Sequence, residues 1–270
     1  MLYYREYLNS DVKPWVTFIH GAGGNSNTFF KQIKDFRKHF NVLLIDLRGH
    51  GKSKKSHWQK GDSFVQISDD VIEVLDHLNI KETHFVGISL GTIVVQTMAQ
   101  KHPERISSMI LGGAIIKLDI RTNFLITMGN LGKHIIPYMW LYRLFAWIIM
   151  PRASHSESRN AFVDQAKKMC QKEFIKWFSV TRALNPFLSK LQRDFFNIPT
   201  LFVMGKEDYL FLPPVEELVG QNDQLALECI ENSGHVCNID QPEKFNTTSI
   251  NFIYQIDYHK TNNLATSNYI

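Results

Sequence analysis

The stretch HFVGISLGTIVVQTMAQKHP, residues 84–103, decides how this chain folds. Its first part, His84 to Ser89, is a short run that is apolar on both faces, as a buried parallel strand must be. From Leu90 to about His102 the apolar residues recur at helical spacing, and Pro103 lies just beyond the end. The stretch therefore predicts a buried strand that turns directly into a helix.

Similar strand and helix patterns flank this stretch. A helical pattern spans Asn27 to Phe40, and a second begins at Ser63, which forms a capping box with Gln66. Strand-like runs, each followed by Gly or Asp, are Trp15 to His20, Val42 to Asp46, Ser108 to Leu111 and Thr200 to Met204. Alternating strands and helices predict an α/β protein with a doubly wound, mostly parallel sheet.

The alternation stops in the middle of the chain. Between Lys117 and Asp194, aromatic-rich helical patterns replace the strand signals, and strands resume at Thr200. We expect residues 1–116 and 195–257 to form the core and residues 117–194 to form an inserted helical cap. The polar residues 258–270 are predicted to be a flexible tail.

Composition narrows the class of protein. The 270 residues are 44% hydrophobic and 21% charged, with a formal net charge of +4, all of which is ordinary for a globular protein. No dense Lys/Arg stripe is interleaved with aromatics, so we expect no nucleic-acid partner. A lysine group at Lys52, Lys54, Lys55 and Lys60 is interpreted as a solvated loop.

Three further patterns bear on the location of the protein. Its three cysteines form no C-x-x-C pair, which favours a reducing compartment. Arg5 and Glu6 stand where a signal peptide needs an apolar run. The longest apolar stretch, Ile135 to Met150, contains Arg143 and is shorter than the roughly 20 residues of a membrane span. We expect a cytoplasmic protein, with weak contact of this stretch to a lipid surface as a minor alternative.

The strand-to-helix turn also carries the chemistry. Gly87 to Gly91 matches G-x-S-x-G, and in a strand–turn–helix context this pattern predicts an exposed nucleophile, Ser89. The amide of Leu90 would lie at the helix N-terminus, where negative charge is favoured, so it is one expected oxyanion donor. Ala22, in the glycine loop after the strand that ends at Ile19, is the second.

Two nucleotide-binding alternatives fail on spacing. A dinucleotide fingerprint in the loop that begins at Gly21 needs glycine at position 26, where the sequence has Ser26. A phosphate-binding loop ending in Gly51-Lys52-Ser53 needs glycine at position 46, where Asp46 stands.

Serine needs a base and a group that orients the base. His235, in a turn after the strand-like Leu225 to Ile230, has the best setting of the eleven histidines. Asp208 follows the strand that begins at Thr200, and it gives the chain order Ser, Asp, His. Glu207 and Asp119 are the competing acids.

Together these residues resemble the α/β-hydrolase family, over about Trp15 to Phe252 without the cap. The ordered motifs are His20 to Gly23, Asp46 to Ser53, Gly87 to Gly91, Gly205 to Asp208, and Gly234 with His235. The resemblance implies that Arg48 and His50 are structural, and that Ser89 excludes the haloalkane dehalogenases and epoxide hydrolases, which have aspartate there. Many relatives have a second glycine where this chain has Thr92.

These inferences predict a serine hydrolase that cleaves a lipophilic carboxylic ester through an acyl-enzyme, with no metal or cofactor. As a cluster, the cap aromatics favour an apolar acyl pocket, whereas any single ring is more often one that packs the cap onto the sheet. These aromatics are Phe124, Tyr138, Trp140, Tyr142, Phe145, Trp147, Phe174, Trp177 and Phe178. A thioesterase, a lactonase or a carbon-carbon bond hydrolase fits the same triad, and a small-ligand receptor with little turnover is a third hypothesis.

Overall fold

The fold is described from a computed structural model, which covers residues 1–54, 58–59, 61–118, 120–132, 135–181, 184–191 and 198–267. Seven strands form one sheet. They are β1 (Tyr4–Tyr7), β2 (Trp15–Ile19), β3 (Asn41–Ile45), β4 (Thr83–Ile88), β5 (Ile106–Gly112), β6 (Thr200–Gly205) and β7 (Leu225–Ile230).

The strand order is β1-β3-β2-β4-β5-β6-β7, and every pair is parallel except β1 with β3. The predicted doubly wound, mostly parallel sheet is therefore confirmed. The central strands are buried on both faces, which explains their continuous apolar sequences. The capping box of Ser63 and Gln66 is also present.

Eleven α-helices have described backbones. They are α1 (Phe30–His39), α2 (Phe64–His77), α3 (Leu90–Lys101), α4 (Ile120–Gly132), α5 (Tyr138–Ile149), α6 (Ser156–Ala166), α7 (Gln171–Val180), α8 (Leu184–Leu191), α9 (Leu212–Gly220), α10 (Cys237–Asp240) and α11 (Pro242–Ser267).

Side chains of the strands alternate between two apolar layers. Leu43, Phe85 and Phe202 pack on the face covered by α2 and α3. Phe18 and Val203 pack on the opposite face, with residues of α1 and α11. Because both faces of the sheet are covered, the carboxyl ends of the strands are the place where loops can form a site.

Five helices, α4 to α8, lie between β5 and β6, and we call them the cap. Residues 192–197 lie outside the described residues, so the predicted cap boundary at residue 194 stays a prediction. Helix α11 continues to Ser267, and the flexibility predicted for residues 258–270 stays a prediction. Residues 258–267 contain neither proline nor glycine, so nothing in the sequence ends the helix earlier. Residues 268–270 are not described.

Candidate active site

Ser89 lies at a sharp turn between β4 and α3. Its backbone has φ 53° and ψ −119°, a conformation that costs energy for a residue with a side chain. The Ser89 amide donates to the carbonyl of Gly112 at 2.9 Å, which fixes the turn to β5. The turn leaves the Ser89 hydroxyl at the carboxyl edge of the sheet, as the sequence predicts.

Small residues on either side permit this turn. A Cβ on Gly91 would lie 2.2 Å from the carbonyl oxygen of Ile19, and one on Gly87 would lie 2.9 Å from that of Gly91. Thr92, which stands where many relatives have glycine, helps to hold the same turn. Its hydroxyl donates to the Ser89 carbonyl at 2.6 Å and accepts from the amide of Ile115 at 3.1 Å.

The structure brings Ser89, His235 and Asp208 into one hydrogen-bonded chain. His235 Nε2 lies 2.8 Å from Ser89 Oγ, and His235 Nδ1 lies 2.7 Å from Asp208 Oδ2. All three residues are buried. With Nδ1–H donating to the carboxylate, Nε2 is free to accept the serine proton.

The loops that carry the histidine and the acid are packed backbone to backbone. A Cβ on Gly205, at the end of β6, would lie 2.0 Å from the Gly234 carbonyl oxygen. The other Asp208 oxygen, Oδ1, accepts from the amide of Phe211 at 3.3 Å, and the Phe211 ring lies 4.7 Å from the imidazole of His235. These contacts hold the acid and the base in register.

Of the two competing acids, Glu207 lies in the described structure, and it does not take this place. Glu207 turns to the cap instead, where it accepts from Arg152 Nη1 at 2.5 Å and lies 2.7 Å from His155 Nε2. Asp119 lies outside the described residues.

Two buried histidines support the glycine loop that contains Ala22. His20 Nε2 accepts from the amide of Leu47 at 3.0 Å, and His50 Nε2 accepts from the amide of Gly23 at 2.9 Å. Each Nδ1–H donates to a backbone carbonyl, that of Gly21 and that of Arg48 respectively, both at 2.8 Å. Burial lowers the pKa of both imidazoles, so both are neutral hydrogen-bonding supports.

Arg48 is tied into the neighbouring loop rather than into the site. Its guanidinium pairs with Asp62 and Asp70, and its carbonyl accepts from the indole of Trp177 at 2.8 Å. Asp46 holds the same loop, because its carboxylate accepts from the amides of Ser26 at 2.7 Å and Lys52 at 2.8 Å.

The two expected oxyanion donors lie beside the serine. Ala22 and Leu90 both line the cavity that contains Ser89. The Leu90 amide is the first of α3, where N–H groups have no acceptor within the helix. A contact that the sequence did not predict holds the other donor: the hydroxyl of Tyr142, from the cap, donates to the carbonyl of Ala22. No pattern in one sequence reveals such a contact between distant segments.

A cavity extends from Ser89 under the cap and opens to solvent; its empty space, together with the solvent at its mouth, is about 1100 Å³. Its walls are almost entirely apolar. Five of the nine predicted cap aromatics line it: Tyr142, Phe145, Phe174, Trp177 and Phe178. The prediction is wrong for Phe124, Trp140 and Trp147, which are exposed, and Tyr138 does not line the cavity. The aromatic content of the sequence indicated where the cap lies. The position of each residue around its helix determines whether its ring faces the cavity.

A second, smaller cavity of about 550 Å³ reaches Ser89 from the other side. Phe162 borders both cavities. The smaller cavity has more polar walls, which include Asn27, Thr28 and Gln165. Ser89 therefore stands between a large apolar space and a small, more polar one.

Comparison with known proteins was made for the sequence and for the fold. Residues 14–129 match the family model described as alpha/beta hydrolase fold. RutD of Agrobacterium fabrum, provisionally named a carbamate hydrolase, is 27% identical over 90% of this chain and 94% of its own. The 3-oxoadipate enol-lactonase 1 of Acinetobacter baylyi is 23% identical over 86% of this chain and 85% of its own.

Solved structures agree on the fold. The esterase from Exiguobacterium antarcticum superposes with a TM-score of 0.79 at 19% identity and covers 94% of this chain and 95% of its own. The enol-lactonase from Burkholderia xenovorans gives a TM-score of 0.76 at 21% identity over 94% and 96%. In the described part of this chain, each helix is too short or too polar to cross a bilayer. The matched family model, the relatives along most of the chain that are named as hydrolases and the shared architecture show that this chain has the α/β-hydrolase fold, and they support a hydrolytic activity.

Proposed function

We propose that this chain is a serine hydrolase that cleaves carboxylic esters with an apolar acyl group through an acyl-enzyme. The observation that carries the proposal is the hydrogen-bonded chain of Ser89, His235 and Asp208 at the end of the large apolar cavity. A serine is a weak nucleophile unless a base accepts its proton, and the 2.8 Å contact with His235 Nε2 supplies that base.

In the proposed reaction, Ser89 Oγ attacks the carbonyl carbon of the ester while His235 Nε2 takes the hydroxyl proton. Asp208 stabilises the imidazolium that forms. The amides of Ala22 and Leu90 donate to the oxyanion of the tetrahedral intermediate. When the intermediate collapses, the C–O bond to the alcohol breaks and His235 returns the proton to the leaving oxygen. Water then attacks the acyl-enzyme by the same route and releases the acid.

The two cavities support an assignment of the two ends of the substrate. The apolar cavity under the cap suits an apolar acyl chain, since burial of the chain there removes apolar surface from water. The smaller cavity beside Gln165 suits a short alcohol with hydrogen-bonding groups. We therefore expect esters of longer acyl chains with small polar alcohols to be the better substrates.

Hydrolysis of p-nitrophenyl esters from acetate to palmitate tests this proposal. We expect kcat/KM to rise with acyl length until the cavity is filled. Ser89→Ala should lower kcat/KM on the order of 10⁴-fold or more. Ser107→Ala, at a serine that does not line the cavity, should leave it unchanged. Activity that survives in the Ser89 variant would refute the role of Ser89.

Lactone opening is a second candidate, because a lactone is an internal ester and two curated relatives from Acinetobacter baylyi are named 3-oxoadipate enol-lactonases. The large apolar cavity favours an open-chain ester. Assays with γ-lactones, thioesters and esters of matched acyl length rank these substrates directly. Tight, stabilising binding of esters with almost no turnover would favour the receptor hypothesis instead.

A further inference from the structure

Two cap helices carry large apolar side chains on their outer surface. Each of the six side chains is between 50% and 69% exposed. On both α4 and α5 they follow the spacing i, i+4, i+7, which places them along one stripe of the helix. We call these residues the outer cap face: Phe124, Met128 and Leu131 on α4, and Trp140, Leu144 and Trp147 on α5.

The outer cap face lies opposite the cavity. On α4 the cavity is lined by Thr122 and Ile126, and on α5 by Phe145 and Ile149. These residues fall on the other side of the helical wheel from the exposed stripes. The two helices are packed together, since a Cβ on Gly129 of α4 would lie 2.8 Å from the Phe145 ring. Packing of the cavity therefore does not account for the exposed apolar side chains.

Basic residues accompany these helices. Between residues 117 and 152 the sequence has one acidic residue, Asp119, and five Lys or Arg residues: Lys117, Arg121, Lys133, Arg143 and Arg152. Lys117 pairs with Glu217 and Arg152 pairs with Glu207, whereas Asp119, Lys133 and the side chain of Arg121 lie outside the described residues. Arg143 is exposed on α5. From the next helix, the guanidinium of Arg159 lies 4.0 Å from the centre of the Trp147 ring. Exposed tryptophans next to arginines are typical of segments that lie at a membrane–water interface.

We infer that the outer cap face docks on a lipid bilayer that contains anionic phospholipids. Apolar side chains would enter the headgroup boundary while Arg143 and Arg159, beside the exposed tryptophans, face the negative headgroups. A second copy of the chain is a poorer occupant, because a symmetric contact would bring Arg143 and Arg159 of the two copies together. The inference does not depend on the proposed ester hydrolysis, although a bilayer next to the cap would be a source of lipophilic esters.

Vesicle flotation tests the inference. The probes are phosphatidylcholine vesicles with and without phosphatidylglycerol. We expect the wild type to float with the anionic vesicles and less with the neutral ones, and the catalytically dead Ser89→Ala variant to float equally well. The double variant Trp140→Ser, Leu144→Ser should bind at least about tenfold more weakly, because two interfacial apolar side chains are lost.

A matched control replaces two exposed apolar residues outside the cap, Leu8 and Val12, with serine. We expect this control to bind vesicles like the wild type. Both double variants should keep the wild-type circular dichroism and its rate with a short soluble ester, since none of the four residues lines either cavity at Ser89. Arg143→Glu should weaken binding to the anionic vesicles only.

Two results would overturn the inference. One is equal flotation of the wild type and the folded Trp140, Leu144 double variant. The other is a wild-type protein that does not bind vesicles but sediments as a dimer, while the same double variant sediments as a monomer. Because flotation needs no turnover, loss of ester hydrolysis alone would leave the inference standing and would count only against the proposed function.

Discussion

Two adjacent acids, Glu207 and Asp208, have different partners although the sequence makes both plausible orienting groups. Asp208 lies 2.7 Å from His235 Nδ1, whereas Glu207 pairs with Arg152 and His155 of the cap. The tight packing of Gly205 on Gly234 sets which of the two side chains reaches the histidine. A single sequence shows that both acids follow β6, but it does not show which of the two side chains points toward His235.

Asp208→Asn should therefore lower kcat/KM on the order of 10²- to 10⁴-fold, because an amide neither fixes the same tautomer nor stabilises an imidazolium. Glu207→Gln, one residue away, should change it less than about tenfold. Steady-state ester hydrolysis by the two variants checks this. Equal losses in both variants would contradict the assignment of the acid.

The sequence marked Tyr142 as a pocket aromatic, but it did not predict the contact of its hydroxyl with the glycine loop. Its hydroxyl donates to the Ala22 carbonyl, and burial raises the pKa of this phenol well above its ordinary value, so it stays a donor at neutral pH. Tyr142→Phe should lower kcat about two- to tenfold, as the loop that carries one oxyanion donor loses a hydrogen bond. Tyr138→Phe removes a comparable bond within the cap, to Met169, and should leave kcat unchanged. Measured kcat values that fall equally in both variants would show that the cap as a whole was disturbed.

At the scale of elements, the contact between β2 and α3 decides the geometry of the turn at Ser89. The backbone of Gly91 approaches that of Ile19 so closely that a methyl group there would lie 2.2 Å from a carbonyl oxygen. Helix α3 begins at this point, so any shift of its first turn moves both Ser89 and the amide of Leu90.

Gly91→Ala should therefore lower the free energy of unfolding by about 1–3 kcal/mol, the usual cost of overpacking, and should reduce turnover as well. Gly220→Ala is the matched control, since a Cβ there meets nothing within 4 Å. Chemical denaturation of both variants gives the comparison. A Gly91 variant as stable and active as the control would mean that β2 and α3 are less tightly apposed than described.

The elements also show what a sequence can and cannot reveal. The sequence predicted the strand that ends at Ile88, the helix that begins at Leu90 and the capping box at Ser63. Such features were predictable because apolar spacing and helix capping depend on neighbouring residues. The direction of the cap aromatics was not predictable, since Trp140 and Tyr142 lie on the same helix and differ in helical phase. The cavity that Tyr142 lines exists only in the folded chain. Tertiary contacts supply that information.

At the scale of the whole molecule, buried histidines link stability to pH. Burial lowers the pKa values of both His20 and His50 from 6.5, and the charge of His20 lowers that of His50 further. Below pH 6.5 the unfolded chain binds protons that the folded chain rejects, so stability decreases as the pH falls. Asp240 acts in the opposite direction at lower pH, because burial raises its pKa above 3.8 and the folded state then takes up that proton.

We therefore expect the free energy of unfolding to be nearly constant between about pH 7 and pH 8 and to fall below pH 6.5. The slope should be at most about 1.4 kcal/mol per pH unit for each histidine. Urea unfolding at several pH values from 5 to 8 measures it. His50→Asn should reduce the slope whatever its effect on absolute stability. An unchanged slope would show that His50 does not contribute to the pH dependence of stability.

The most direct test of the central claim is labelling with a fluorophosphonate, followed by peptide mass spectrometry. Such a probe forms a bond only with a serine that a neighbouring base activates. The account predicts one adduct, on the peptide that contains Ser89, with none in Ser89→Ala and a strongly reduced rate in His235→Ala. A folded wild-type protein that is not labelled, or that is labelled on another serine, would contradict it.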